Sequence, residues 1–472
     1  MQTSQTSQTS QTSQTSQHPK PAPDGTHRPE PGSGPLSAIV AGTQVFSGYG
    51  GTPPRLHLAV SELRDATERL PWQTDRQSFG TSWESPEQAV RSAEGEAVER
   101  FCGTCPPART VHGSYEQLTR RGLRALDPRT LVLHSDRQYA TAGFPFRPFR
   151  PDSPAHWVEG RSAVDGEPVQ VPAFMVYTAW ARMPRPHPEP FYAFPVIGGI
   201  AAGPTADFAL LSALEEVIER DAVAVWWANA TALPALRPTD RLSALGDGAE
   251  RAFESRLVRI DNEFGVPVIA AGVRSRAEGW LTYGCAARAD EEEAAAKALA
   301  EAHTLQITCR VLDDPATRPA TPGRPSPLKP WRRDRRYLDD YRADGSDAVE
   351  QICQQQLYLD RRAADRVAPW AWDLPEGSWT GPARRPRYDA AGLVGRVAAA
   401  GYDVVTVDLT TPEAAAAGMR VLRVVVPGTA GVAPAAYLPL GRRRMQDTAV
   451  RLGRRRTPLR EEDLNTFPMP HS

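Results

Sequence analysis

Residues 203–227 read GPTADFALLSALEEVIERDAVAVWW, and this stretch carries the clearest structural pattern in the chain. Its apolar residues recur at the spacing of a helix with one buried face, and they are Leu210, Leu211, Leu214, Val217 and Ile218. The polar residues Ser212, Glu216, Glu219 and Arg220 lie off that face in the order S-x3-E-x2-E-R. Glu216 and Glu219 are three positions apart, so their carboxylates are neighbours on the helix surface.

The same polar pattern occurs in residues 85–103, SPEQAVRSAEGEAVERFCG. We expect Ser85 to cap this helix, with Pro86 at its first position and Gln88 completing a capping box. The apolar stripe comprises Ala89, Val90, Ala93, Ala97, Val98 and Phe101, and the polar set comprises Ser92, Glu96, Glu99 and Arg100. A third helix is predicted over residues 291–310, where Glu301, Gln306 and Arg310 stand, the last two as Q-x3-R.

Paired carboxylates on one helix face repel each other unless a cation or a shared proton compensates them. Two such pairs brought together provide four acids, and arginines stand beside them. Oxygen ligands of this kind suit Mg²⁺, which binds through few carboxylates plus phosphate oxygens, while arginines bind phosphates in bidentate fashion. A single copy of E-x-x-E-R is typical of a solvated helix face. Its repetition on two amphipathic helices favours a Mg-nucleotide site built from helices.

Composition excludes several classes of protein. The 472 residues carry 55 Lys+Arg against 56 Asp+Glu, a balance that argues against a general nucleic-acid or membrane-surface binder. The lysines are Lys20, Lys297 and Lys329, and none stands in a G-x-x-x-x-G-K-[ST] frame, which excludes a P-loop. The sequence has neither a long apolar run nor a secretory signal, and its five cysteines are too few for a disulfide framework. We therefore expect a reduced, cytoplasmic chain.

The sequence predicts a mixed α/β (α+β) fold with helices on mixed β-sheets. Residues 1–36, with repeated Gln-Thr-Ser, are predicted to be a disordered tail, and residues 37–472 a single domain. A Pro- and Arg-rich surface insertion is expected at about 313–337. Near the end of the chain, a helix is predicted over 393–400 and buried strands over 403–409 and 421–426.

These motifs together resemble the YcaO family. The resemblance includes both S-x3-E-x2-E-R helices, the IGGIAAGPT segment before the second, the ERDA-x3-WW run and the Q-x3-R helix. It continues through GYDVVTVDLTTPE, RVVVPG and the terminal NTFPMPHS, and so extends over about residues 37–472. It implies an ATP-binding fold without a P-loop that activates backbone amides of ribosomally made peptides. In the azoline-forming branch, a Cys, Ser or Thr side chain attacks the preceding carbonyl, and phosphate derived from ATP leaves to give a thiazoline or oxazoline.

The resemblance also implies roles for particular residues, with ATP and Mg²⁺ as cofactors. Glu96, Glu99, Glu216 and Glu219 would bind the metal and the nucleotide. Ser92, Arg100, Arg220, Gln306 and Arg310 would surround the nucleotide. Azoline-forming relatives end in a proline-rich tail that reaches the active site, and residues 465–472 keep a Pro-x-Pro. Pro470 and Ser472 are therefore the candidate catalytic residues.

The expected partners are a precursor peptide and a separate leader-binding protein of the ThiF-like or TfuA-like type, because no winged-helix module precedes the first motif. A homodimer is possible, and neither nucleic acid nor membrane is expected. Thioamide or amidine formation is the alternative within enzymes. The alternative outside enzymes is a scaffold subunit of weak catalytic power, motivated by Thr81, Pro204 and Phe208, which stand where many relatives carry Lys, Asn and Glu. The pair Cys102 and Cys105 has no assigned role.

Overall fold

The computed structural model describes residues 34–73, 75–318, 326–379 and 388–471. The predicted tail lies almost wholly outside these ranges, as do Ser472 and the middle of the predicted insertion. The strands are β1 Val40–Ser47, β2 His57–Leu63, β3 Gln77–Ser82, β4 Val111–Gly113, β5 Ala155–Ser162, β6 Pro168–Pro172, β7 Ile200–Gly203, β8 Ala235–Leu236, β9 Phe253–Ile260, β10 Val268–Ser275, β11 Leu281–Ala287, β12 Glu376–Gly377, β13 Val405–Asp408 and β14 Arg420–Val425. The α-helices are α1 Pro86–Thr104, α2 Tyr115–Arg120, α3 Asp136–Ala140, α4 Ala206–Asn229, α5 Asp240–Leu245, α6 Glu291–Asp313, α7 Gln351–Leu357, α8 Arg361–Ala371, α9 Ala390–Ala399, α10 Pro412–Ala416 and α11 Arg444–Arg451.

A three-stranded antiparallel sheet in the order β1-β2-β3 supports helix α1. The helix packs so closely over β3 that a Cβ atom added at Gly80 would lie 2.2 Å from the backbone nitrogen of Ala93. Ser85 caps α1 by accepting from the backbone N–H of Gln88, and Pro86 is its first residue, as predicted. The predicted capping box is not formed, because the N–H of Ser85 donates to the hydroxyl of Ser82 and not to Gln88. Most of the predicted apolar stripe of α1 is fully buried.

A five-stranded sheet in the order β11-β10-β9-β8-β12 supports helix α6. Every residue of β11 is buried, because helices cover the sheet. The buried face of α6 is rich in alanine, and a Cβ atom at Gly284 would lie 2.1 Å from the carbonyl oxygen of Ala298. Small residues on both elements thus allow α6 to lie close to β11.

A six-stranded sheet in the order β4-β5-β13-β14-β7, with β6 paired to β5, forms the third layer. Helix α4 packs on β7 and β14 of this sheet and also contacts β11 of the five-stranded sheet. Its two tryptophans, Trp226 and Trp227, are buried against Tyr283 and Trp370 in the largest apolar core. Helix α4 therefore lies between the two larger sheets.

The mixed fold predicted from the sequence is confirmed. Helix α4 begins after Thr205, whose side chain accepts from the N–H of Phe208. The C-terminal elements predicted over 393–400, 403–409 and 421–426 are α9, β13 and β14. At the described end of the predicted insertion, Arg335 forms ion pairs with Asp313 and Glu278. These ion pairs hold this end of the insertion against the domain. In the described ranges no helix has the length and apolar character needed to cross a membrane.

Candidate functional site

The polar faces of three helices meet between the sheets. Helix α1 contacts β7, helix α4 contacts both β7 and β11, and helix α6 contacts both β11 and β3. The two E-x-x-E pairs predicted from the sequence, on α1 and α4, are therefore brought to the same region. The link between the pairs runs through one short segment, since Ala202 binds Glu99 of the first pair and Gly199 binds Glu216 of the second. Repulsion between these two glutamates also contributes to the raised pKa of Glu99.

Backbone amides from neighbouring segments hold three of these carboxylates in place. Glu96 accepts from the N–H of Phe79 at 2.6 Å. Glu99 accepts from the N–H of Ala202 at 2.8 Å, and Glu216 accepts from the N–H of Gly199, also at 2.8 Å. The segment that precedes α4 thus donates to a glutamate on each helix and joins the two motifs.

The fourth carboxylate, that of Glu219, is the most buried of the set, with 2% of the residue exposed. One of its oxygens, Oε1, lies 3.4 Å from Nε of Arg220 but has no hydrogen-bond partner among the described residues. The pKa of Glu219 is raised to about 7, mainly by burial; the charge of Arg220 opposes this rise, and the carboxylates of Glu301 and Glu216 contribute to it. Burial, followed by repulsion from Glu216 and Glu96, raises the pKa of Glu99 to about 8. A bound cation would therefore stabilise the ionised form of both glutamates.

The two motif arginines lie beside the carboxylates. Arg100 donates to Glu96 at 2.6 Å and forms a second ion pair with Asp75 at 3.3 Å. Arg220 forms ion pairs with Glu219 and with Glu216, the latter at 3.5 Å. Both guanidinium groups therefore balance part of the negative charge.

Helix α6 adds two charged residues to the site: Glu301, which was named on the predicted third helix, and Lys297, which was not predicted. The ammonium group of Lys297 lies 3.5 Å from Glu301, which also accepts from the N–H of Cys285 at 3.3 Å. The positive charge of Lys297 lowers the pKa of Glu99 and of Glu219, against the larger effect of burial. The K-x3-E spacing on α6 and the scarcity of lysine were the available signals, but the alanine-rich sequence does not reveal which face of α6 points to the site.

The structure does not bring Gln306 into the carboxylate cluster. Its amide group is buried under the five-stranded sheet and donates to the carbonyl oxygens of Val273 and Trp280 and to the hydroxyl of Thr282. Arg310 is exposed at the far end of α6, beside the turn at Gly50. The other predicted residue, Ser92, is exposed on α1, one turn before Glu96.

The C-terminal segment, residues 465–471, is docked beside the same cluster. Side-chain and backbone groups donate to four carbonyl oxygens of this segment: Trp227 to Phe467, Tyr358 to Pro468, Tyr283 to Pro470 and Gln354 to His471. The His471 ring lies 3.0 Å from Arg220, and its own burial, followed by that positive charge, lowers its pKa well below the usual value. Pro470, a catalytic candidate, directly precedes His471, the residue that contacts Arg220. The other catalytic candidate, Ser472, lies outside the described residues.

Comparison with known proteins identifies the family. A family model described as YcaO cyclodehydratase, ATP- and Mg²⁺-binding, matches residues 83–430. The chain belongs to the YcaO family. Members of this family are enzymes. A sequence comparison with curated proteins finds no match.

Solved structures share the fold. A heterocyclase in complex with substrate and cofactor has a TM-score of 0.68 at 21% identity, covering 96% of this chain and 59% of that one. The heterocyclase TruD has a TM-score of 0.57 at 20% identity, covering 82% and 52%. YcaO from Methanopyrus kandleri, bound with AMPPCP and Mg²⁺, has a TM-score of 0.55 at 22% identity, covering 84% and 87%. The chain therefore spans somewhat more than half the length of the first two.

The residues of the site fit the ligands for which the family is described. No group of three or more His, Cys, Asp or Glu side chains in the described ranges is arranged around one metal position. Mg²⁺ does not require such a group, because it usually takes one or two carboxylates and completes its shell with phosphate oxygens and water. The buried, unpartnered oxygen of Glu219 and the raised pKa of two glutamates are properties that a bound cation would relieve.

Proposed function

We propose that this chain is an ATP- and Mg²⁺-dependent cyclodehydratase that converts Cys, Ser or Thr residues of a ribosomally made precursor peptide into azolines. One observation carries the proposal: residues 199–202 bind a glutamate of each E-x-x-E pair and so bring the two helices to one partly buried region, where Arg220 contacts the docked C-terminal segment. Nucleotide-binding groups and the C-terminal segment would therefore act at a single site.

The acidic residues of the site would bind the metal, and the basic residues would bind the phosphate groups. Glu96, Glu99, Glu216 and Glu219 would hold Mg²⁺, with one or two carboxylates to each ion, and backbone N–H partners keep three of these carboxylates oriented before any ligand binds. The phosphate groups would meet the cations Arg100, Arg220 and Lys297. When bound, Mg-ATP supplies the phosphoryl group that turns an amide oxygen into a leaving group.

The C-terminal segment would form the wall of the site that faces the peptide. Its residues from Phe467 to His471 are buried, so this wall excludes water. The carbonyl oxygen of Pro470 accepts from the N–H of Tyr283 at 2.7 Å. Tyr283 is on β11, the strand that carries Cys285, whose N–H donates to Glu301 on α6. A catalytic role for Pro470, and for Ser472 beyond it, is part of the proposal.

The peptide and the partner protein are also proposed. One structural neighbour is the Escherichia coli microcin synthetase McbBCD complex with pro-MccB17 bound, which has a TM-score of 0.53 at 10% identity. By analogy, we propose that this chain works with a separate leader-binding protein of the ThiF-like or TfuA-like type. The precursor would be a short peptide rich in Cys, Ser and Thr.

The test uses the full chain with ATP, Mg²⁺ and a synthetic peptide rich in Cys, Ser and Thr, with and without a leader-binding protein of the ThiF-like or TfuA-like type. Mass spectrometry should show the loss of one water per ring, with release of ADP and phosphate. Glu96→Gln should abolish both, and Glu62→Gln, on the exposed face of β2, is the matched control. Replacement of oxygen by sulfur in the peptide would indicate thioamide formation instead. Peptide binding without any nucleotide-dependent mass change would contradict the proposal and favour the scaffold.

A further inference from the structure

The most unusual charged residue outside the site is Arg423 on β14. It is 1% exposed. Within the described part of the chain no carboxylate is in ion-pair contact with it, and Glu216 acts on it only through its charge. Its guanidinium group instead donates to four backbone carbonyl oxygens: Met175 at 3.0 Å, Val196 at 2.9 Å, Ile197 at 3.4 Å and Gly198 at 2.7 Å. Three of these four acceptors are consecutive in the chain.

Burying an arginine without a paired carboxylate destabilises the folded protein, because the charge is removed from water. Burial lowers the pKa of Arg423 to about 10, against the opposing influence of the Glu216 carboxylate. An apolar side chain of similar size would fill the same space without the cost of removing a charge from water. The role of Arg423 is therefore to be sought in the segment whose carbonyl groups it binds.

That segment, residues 196–199, lies directly against a site carboxylate. The N–H of Gly199 donates to Glu216, and a Cβ atom at Gly198 would lie 3.1 Å from an oxygen of the same carboxylate. Gly199 has a φ of +87°, and a Cβ atom there would lie 2.9 Å from the carbonyl oxygen of Val424. The segment lies at the surface at Ile197, which is 51% exposed. Arg423 holds it from the inside.

We infer that Arg423 is a positioning residue that fixes residues 196–199 and, through the N–H of Gly199, orients the Glu216 carboxylate. Its effect on nucleotide binding rests on the proposed function. Loss of the guanidinium group would leave three consecutive carbonyl groups without their donor, so the segment would move away from Glu216. Removal of a supporting group of this kind typically lowers metal affinity or activity about 10–100-fold.

The experiment measures two properties of the full chain. Calorimetry gives the Kd for Mg-AMPPCP, and amide hydrogen exchange, read without nucleotide, gives the protection of residues 196–199. The variants are Arg423→Met, Arg423→Lys and Gly198→Ala. The last leaves Arg423 intact but crowds Glu216. Arg455→Met is the matched control, because Arg455 also donates to a backbone carbonyl, that of Asn229 at 2.7 Å, at the opposite end of α4.

Arg423→Met should raise the Kd about 10–100-fold and speed exchange in residues 196–199, whereas Arg455→Met should do neither. Arg423→Lys keeps the positive charge but places its three N–H donors on a single nitrogen, so it should recover only part of the affinity. Gly198→Ala should weaken binding with little change in Tm, and it decides the question if Arg423→Met does not fold. Wild-type Kd and exchange in folded Arg423→Met, or wild-type Kd in Gly198→Ala, would overturn the inference.

If the wild type itself does not bind Mg-AMPPCP, the proposed function fails. Hydrogen exchange then decides the positioning role independently. Faster exchange at residues 196–199 in Arg423→Met supports the role, and unchanged exchange refutes it.

Discussion

Replacing Glu219 with Gln should stabilise the protein at alkaline pH while it weakens nucleotide binding. Only 3% of the Glu219 side chain is exposed, and burial is the main reason why its pKa is raised from 4.5 to about 7. Between these two values the unfolded chain releases the proton and the folded chain keeps it. The free energy of unfolding therefore falls as pH rises through this window and becomes level above it.

The size of the effect follows from the shift. Each unit of pKa corresponds to about 1.4 kcal/mol, so ionisable Glu219 lowers the free energy of unfolding by up to about 3 kcal/mol at pH 8. Glutamine has nearly the same shape and does not ionise. We expect Glu219→Gln to exceed the wild type by about 1–3 kcal/mol near pH 8 and by less than about 1 kcal/mol near pH 5.

Urea denaturation followed by tryptophan fluorescence, at both pH values, measures this difference. Glu62→Gln is the control, since an exposed substitution should change stability by less than about 0.5 kcal/mol at either pH. The same Glu219→Gln sample should bind Mg-AMPPCP more weakly than the wild type. An equal stability difference at the two pH values, or a loss of stability near pH 8, would refute the assignment of Glu219 as a buried acid held for a cation.

Three further predictions concern packing, charge and the C-terminal segment. Gly80→Ala should lower the free energy of unfolding by about 1–3 kcal/mol in thermal denaturation, because its Cβ would collide with α1. Gly95 lies in α1 with open space around it, so Gly95→Ala should instead raise the free energy of unfolding by up to about 1 kcal/mol. Equal effects of the two substitutions on the free energy of unfolding would contradict this packing. Lys297→Gln should weaken Mg-AMPPCP binding about tenfold in calorimetry. Lys329 is paired with Asp347, and Lys329→Gln should leave binding unchanged. Tyr358→Phe removes a buried hydrogen bond to the C-terminal segment, so it should cost about 1 kcal/mol and speed proteolysis of that segment; unchanged proteolysis would argue against docking.

The parts of the site that the sequence could predict are those encoded locally. Helical periodicity, the Ser85 cap and the E-x-x-E spacing each depend on residues within a few positions, and they locate Glu96, Glu99, Glu216 and Glu219 on two helix faces. What joins the faces is not local. The bond from Ala202 to Glu99 connects residues 103 positions apart.

Helix α6 shows why the remainder could not be predicted. Alanine lies on several sides of it, so no apolar stripe indicates which face meets the sheet. The close approach of α6 to Gly284 settles that question, because it turns Gln306 under the sheet and Lys297 and Glu301 toward the carboxylates. Arg423 was not predicted for a similar reason, since its partners are backbone atoms that no sequence pattern marks.

Calorimetric titration of Mg-AMPPCP into the full chain tests the central claim most directly. The wild type and Glu62→Gln should bind with micromolar Kd, about 10⁻⁶ M or −8 kcal/mol. Glu96→Gln on α1 and Glu219→Gln on α4 should each weaken binding at least about tenfold. That result would locate the nucleotide between the two helices. Absence of binding to the wild type, or equal affinity in all four proteins, would contradict the account.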